Sequence, residues 1–325
     1  MQSHLDWRDA RLLSTVDLSA DVRLFAIEPS ADFRPPTPGS HIQVLVSIGD
    51  RQESRCYSTV GPSSDGVYRI AVKRLATSRG GSAFMWTLEA GSTLRIALPR
   101  NHFELKRNRP AYLLLAGGIG ITPIHSMALA LAGAGADFRM LYAARSAADH
   151  VLADETRAVI GDRLATFADD HGERVDLDAE IAALPQGGEF YVCGPIGLMD
   201  AARQAWARAG RPATQVRMET FGNSGRLVTA PFEVAIPRLD RAITVDATET
   251  LLEALERSGV AMISDCRKGE CGLCALPILD ADGEVDHRDV FFSDEEKAEG
   301  ARLCTCVSRF SGSRLVLDTP DRIAP

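Results

Sequence analysis

Apolar and polar residues alternate every second position in four short runs of the first hundred residues: 22–28, 41–47, 67–73 and 93–97. That period turns one face of a strand toward a core and the other toward water. Breaks rich in Pro and Gly, such as Arg34-Pro-Pro-Thr-Pro-Gly39, separate the runs. Residues 1–105 are therefore predicted to form an antiparallel β-barrel.

From residue 106 the pattern changes. Ala111-Tyr-Leu-Leu-Leu-Ala116 is continuously apolar, as a strand covered on both faces requires. A glycine-rich turn follows, and then an apolar helix predicted from Ile124 to about Leu131. The runs 139–144 and 189–193 read as further parallel strands that each feed a helix, so 106–224 is predicted to be an α/β layer unit. Gly222, Ser224, Gly225 and a closing Pro231 make 222–231 read as a linker, flexible at its start and extended at its finish, with the linker proper bounded at 225–231. Beyond it, 232–236 and 242–245 alternate like a hairpin, and 250–258 carries an amphipathic helix ended by Gly259. A hairpin, a helix, a loop and a returning strand are the order of a β-grasp fold, predicted here for 232–325.

Composition adds a sharp asymmetry. The chain has 325 residues and a formal charge of −8. Residues 232–325 hold nineteen Asp/Glu against eleven Lys/Arg, and 1–231 hold twenty-five of each, so the whole excess lies in the last unit. Such a field steers a basic partner face and falls off with salt. No basic stripe points to nucleic acid, and no apolar run or signal-peptide pattern points to a membrane or to export. A cytoplasmic monomer is expected, and its seven cysteines should be reduced thiols or cofactor ligands.

Three of those cysteines are spaced in a way that carries chemistry. Cys266, Cys271 and Cys274 have four and then two residues between them, with Cys304 and Cys306 further on. This is the plant-type [2Fe–2S] spacing, whereas zinc sites favour paired Cys-x2-Cys knuckles. The gap of 29 residues from Cys274 to Cys304 equals the plant-ferredoxin count. Matching Thr305-Cys306-Val307 to the Thr-Cys-Val of those ferredoxins favours Cys306 instead and places two extra residues in the turn 280–285. Cys306 is the expected fourth ligand and Cys304 its rival.

Two further segments suggest nucleotide cofactors. Arg55-Cys-Tyr-Ser58 ends a barrel strand, and Arg79-Gly-Gly-Ser82 opens a helix, where backbone N–H groups and the helix dipole suit a phosphate. With Lys73 and Arg74 as cations, this pair is expected to cradle a flavin, Tyr57 covering one ring face and Ser58 offering its hydroxyl. Gly117-Gly-Ile-Gly-Ile-Thr-Pro123 and Cys193-Gly-Pro195 each follow a strand and open a helix, at the sheet edge where α/β folds bind ligands. A nicotinamide dinucleotide suits that edge. Cys56 and Cys193 otherwise read as buried small apolar residues, and His125 and His287 as histidines without a catalytic role.

In this order the four motifs resemble the phthalate dioxygenase reductase family, which includes vanillate demethylase reductases. The resemblance implies a flavin barrel, an NADH domain and a plant-type ferredoxin in one chain, with FMN as the flavin. It assigns the flavin to Arg55, Tyr57, Ser58, Val72, Lys73, Gly80, Gly81 and Ser82. It assigns the nicotinamide nucleotide to Gly117, Gly118, Gly120, Thr122, Pro123, Arg145, Cys193, Gly194 and Pro195. Glu219-Thr-Phe221 resembles the segment whose ring shields the flavin, so Ser58, Cys193 and Phe221 are the expected catalytic positions. Electrons are then expected to pass from NADH to FMN to the cluster, and on to a Rieske-type non-haem iron oxygenase or demethylase. The alternatives are a haem monooxygenase as partner, or a redox-sensing regulator, for which no DNA-binding helix pair is evident.

Overall fold

The computed structural model describes residues 6–75, 79–221 and 225–319. Six strands come first: β1 (Trp7–Asp17), β2 (Val22–Pro29), β3 (His41–Ile48), β4 (Arg51–Ser58), β5 (Tyr68–Lys73) and β6 (Thr93–Arg100). They form one antiparallel sheet in the order β4-β3-β6-β1-β2-β5. Just past β4, Thr59 bridges Ile70 of β5, so the sheet curls until its two edges meet. Alternate residues fill the interior, among them Phe25, Ile27, Ile42, Val44 and Val46, all fully buried. The alternation had not revealed β1. Adjacent Leu12 and Leu13 interrupt its pattern, and a bulge between Leu12 and Ser14 absorbs the extra residue and leaves Leu13 exposed. A short helix, α1 (Gly81–Trp86), lies between β5 and β6.

The next sheet holds β7 (Tyr112–Gly117), β8 (Phe138–Ala144), β9 (Leu164–Ala168), β10 (Glu189–Cys193) and β11 (Val216–Glu219), in the order β11-β10-β7-β8-β9. Its β10/β7, β7/β8 and β8/β9 pairs are parallel. Helices α2 (Ile121–Gly133), α3 (Ala153–Ile160), α4 (Leu177–Ala183) and α5 (Ile196–Arg208) connect the strands. Helix α2 starts at Ile121, earlier than the expected Ile124, so Thr122 and Pro123 belong to its first turn. Proline fits there because first-turn N–H groups have no helical acceptor. The barrel and this sheet make up one compact unit ending at Met218.

The unit that begins at Glu219 contains β12 (Phe232–Ile236), β13 (Arg241–Val245), α6 (Leu251–Arg257), β14 (Ala275–Ala281), β15 (Glu284–Asp286), α7 (Asp294–Glu299), β16 (Arg302–Cys304), β17 (Arg309–Ser311) and β18 (Arg314–Leu317). Its main sheet runs β13-β12-β18-β14-β16, with β12 and β18 parallel, and β15 pairs with β17. Thr250 and Glu253 form a reciprocal cap at the start of α6. That helix buries Leu251, Ala254 and Leu255 against Val234, Ile236 and Leu315. Helix α7 opens on the same kind of cap, from Ser293 and Glu296.

The described part of the linker, from residue 225, is held by hydrogen bonds: Arg226 N–H donates to Asp286 at 2.9 Å, and Arg288 donates to Asp286 at 2.8 Å and to Thr229 at 3.2 Å. Arg309 donates to the Ala230 carbonyl at 2.8 Å. Gly225 is packed so closely that an added Cβ would lie 2.3 Å from Arg288 and Asp286. Local composition reads as loose because the groups that anchor the segment stand some sixty to eighty residues away in sequence. The start of the expected flexible stretch, 222–224, lies outside the described residues.

Candidate functional site

The loop from Cys266 to Cys274 is shaped by three residues with left-handed backbone, Arg267 (φ 51°), Gly269 (φ 77°) and Gly272 (φ 71°). Only glycine fits at two of these positions. A Cβ on Gly269 would meet Val307 Cγ2 at 2.6 Å and Asp289 Cα at 2.9 Å, and one on Gly272 would enter the Phe291 ring at 2.2 Å. The turn this creates aims three backbone N–H groups, those of Lys268, Glu270 and Cys271, at Cys266 Sγ, each at 3.4 Å. A hydrogen bond to Cys271 and burial push the Cys266 thiol up, and these three backbone donors oppose that rise.

The sulfurs fall into two groups, Cys266 with Cys271 and Cys274 with Cys304 and Cys306. A hydrogen bond from Cys266 draws the Cys271 thiol down, and hydrogen bonds from Cys304 and Cys306 draw Cys274 down. Two irons that each need two thiolates can take Cys266 with Cys271 and Cys274 with one of Cys304 and Cys306. The donor set therefore fits a [2Fe–2S] cluster, held by Cys266, Cys271 and Cys274 with either Cys306 or Cys304. Cys304 ends β16 opposite Ala275, but Cys306 lies in the turn beyond, so the two do not share a strand face. The turn Asp282-Gly283 between β14 and β15 lies where the two extra residues were expected. Asp282 fixes it by accepting from the N–H groups of Ser313 and Arg314, each at 2.9 Å.

Sequence reasoning missed what lies beneath this loop. Lys268 is buried, and its ammonium sits 2.6 Å from Oε1 of Glu219, with side-chain exposures of 5% and 0%. Glu270 is beside them: burial, opposed by Lys268 and reinforced by Glu219, pushes its carboxyl well above the usual range. A lysine and a glutamate between cluster cysteines read in sequence as solvated charge. Glu219, which pairs with the buried Lys268, lies far away in the chain.

The two nucleotide loops meet. Parallel pairing sets Cys193 opposite Ala116, and the turns beyond these strands touch backbone to backbone. A Cβ on Gly120 would lie 2.2 Å from the Cys193 carbonyl oxygen, one on Gly194 3.0 Å from Gly117 Cα, and one on Gly117 2.7 Å from Pro195. Gly118 has φ 51° and open space around it. Thr122 is buried and donates to the Ile119 carbonyl at 3.1 Å, and Cys193 is fully buried. Arg145 is exposed just past β8. His125 is buried, with Nδ1 2.8 Å from the Thr156 hydroxyl, and burial lowers its pKa.

Around the barrel edge, the Arg55 side chain lies against Gly81, whose added Cβ would meet Arg55 Cγ at 2.8 Å, and Arg55 pairs with Glu53 at 2.6 Å. Gly80, at φ 92°, packs on Ile48. Ser82 Oγ accepts from Leu75 N–H at 3.3 Å. Thus β4, the residues after β5 and the start of α1 come together. Burial pushes the Tyr57 phenol up, Arg55 drawing it back. Ser58 and Val72 are buried, and Cys56 is half-buried rather than buried. The cations are engaged: Lys73 pairs with Asp21 at 3.0 Å, and Arg74 and Arg23 stack on the Trp86 ring at 4.6 and 4.3 Å. Phe221 is half-buried, two residues beyond β11.

Ser126 joins the two edges. Its hydroxyl donates to the Thr59 carbonyl at 2.8 Å and accepts from Gly61 N–H at 3.0 Å. One turn of α2 beyond the glycine loop is thereby fixed to the chain that directly follows Ser58.

Comparison with known proteins agrees with this geometry. Residues 235–311 match the 2Fe-2S iron-sulfur cluster binding domain, and 114–204 match the oxidoreductase NAD-binding domain. The chain is 40% identical over 284 residues to a putative toluene-4-sulfonate monooxygenase system reductase subunit of Comamonas testosteroni, covering 86% of this chain and 88% of that one. It superposes on phthalate dioxygenase reductase, described as a modular structure for electron transfer from pyridine nucleotides to [2Fe-2S], with TM-score 0.75 and 31% identity over 96% of this chain and 98% of the other. It also matches an intact type IV self-sufficient cytochrome P450 monooxygenase, with TM-score 0.66 and 34% identity; 96% of this chain covers 41% of that one.

Proposed function

Because the chain belongs to the phthalate dioxygenase reductase family and is a reductase component that passes electrons to an oxygenase, we propose that it takes them from NADH through FMN and delivers them to a Rieske-type non-haem iron oxygenase or demethylase. A flavin accepts a hydride from the nucleotide and releases single electrons, and a [2Fe–2S] cluster relays them one at a time. The protein's part is to bind and orient.

Arg55, Tyr57, Ser58, Val72, Lys73, Gly80, Gly81 and Ser82 hold the flavin, with the Gly80–Gly81 turn as the place of closest backbone approach. Lys73 must leave Asp21 to reach a phosphate. Gly117, Gly118, Gly120, Thr122, Pro123, Arg145, Cys193, Gly194 and Pro195 bind NADH, the exposed Arg145 facing the adenosine side. Ser58 and Cys193 line the place of hydride transfer, and Phe221 covers the flavin between turnovers. Cys266, Cys271, Cys274 and Cys306 hold the cluster. The protein works as a cytoplasmic monomer, with residues 1–105, 106–224 and 232–325 as its flavin, nucleotide and cluster domains and 225–231 between the last two.

The observation that carries this reading is Ser126, which ties the nucleotide-loop helix to the end of the flavin strand. The test is anaerobic NADH addition to the reconstituted chain, with the released flavin identified by chromatography. Flavin and iron–sulfur absorption should both bleach, and FMN should be recovered. A colourless preparation, or bleaching with NADPH only, would defeat it.

A second reading has a haem monooxygenase as partner, favoured by the match to the self-sufficient P450. Coupled turnover against each class of oxygenase separates the two.

A further inference from the structure

We propose that Glu219 is a positioning residue for the cluster: through its buried ion pair with Lys268 it balances the charge beneath the cluster loop and so sets the reduction potential of the [2Fe–2S] centre. The inference rests on the cluster reading above and adds a residue outside the cysteine motif.

Lys268 lies between Cys266 and Cys271, and its backbone N–H donates to Cys266 Sγ. Its side chain turns inward instead of reaching water, and the ammonium meets Glu219 at 2.6 Å. At exposures of 5% and 0%, neither charge is screened by bulk solvent. A buried charge on its own is strongly disfavoured, so each member of the pair compensates the other. The arrangement is local to the loop, since Lys268 sits between two of its left-handed residues, Arg267 and Gly269.

Reduction adds one negative charge to the centre. The Lys268 ammonium favours that change and the Glu219 carboxylate opposes it, so the intact pair is close to neutral in its effect. Removing one member exposes the other. Glu219→Gln removes a negative charge and should raise the potential, whereas Lys268→Gln removes a positive one and should lower it. The double variant E219Q/K268Q should return toward the wild-type value. A pair that merely packed the loop would shift both single variants the same way.

The experiment is an anaerobic redox titration of the reconstituted full-length chain, wild type and the three variants, followed by the electron paramagnetic resonance signal of the reduced cluster and by iron and sulfide content. Opposite shifts in the single variants support the inference; shifts of one sign, or none, overturn it. Should both single variants lose the cluster, retention in the double variant supports charge balance and loss in all three overturns it. A wild-type chain that takes up no iron overturns the cluster reading together with this one. A loaded wild type with unmoved variants overturns only the role of the pair.

Discussion

Cys304 and Cys306 are both buried beside Cys274, and the choice between them has a plain consequence. Cys306 sits in a turn, where backbone can adjust to a metal, while Cys304 is held by strand pairing with Ala275. Cys306→Ser should therefore abolish the cluster, while Cys304→Ser keeps about two irons per chain; iron analysis and visible absorption check this, and the reverse result reassigns the ligand. Cysteine spacing made the motif legible because ligands must be close whatever surrounds them. The same spacing could not rank the last two cysteines, since their sulfurs reach Cys274 by way of a turn that sequence does not specify. Lys268 was illegible for a related reason: a charge looks solvated until its distant partner is known.

Elements were legible where one physical period governed them. Strands β2, β3 and β5 were legible from alternating residue types, although His41–Val44 and Ile70–Val72 are buried on both faces, and β7 is apolar throughout because both its faces are covered. The exceptions are β1, where a bulge resets the register, and the start of α2, which was expected at Ile124 but takes Thr122 and Pro123 into its first turn. Helix α2 matters beyond its packing because Ser126 couples two cofactor edges. Ser126→Ala leaves the Thr59 carbonyl and Gly61 N–H without that partner, costing about 2 kcal/mol of stability. It should also slow flavin bleaching by NADH several-fold. Denaturant unfolding measures the first effect and stopped-flow absorption the second; wild-type values for both would remove the serine from the coupling.

Acidity across residues 232–325 acts on the approach to a partner. Surface charge steers association over distances comparable to the screening length, about 8 Å at physiological salt. Reduction of the oxygenase by this chain should slow by about tenfold or more as salt is raised toward 1 M, while NADH-driven reduction of the chain's own flavin changes little. Equal slowing of both steps would assign the acidity to solubility. Among the described residues no helix is long and apolar enough to cross a membrane. The order of barrel, α/β unit and β-grasp, the cluster spacing and the glycine loops were all written in local patterns, because periodicity, ligand spacing and backbone freedom act over a few residues. Only the tertiary structure decided that the Gly117 and Cys193 turns touch, that residues 225–230 are pinned by Asp286, Arg288 and Arg309, and that Lys268 lies buried against Glu219. Each of these joins groups far apart in sequence, and burial and pairing at such separations are properties of the folded chain.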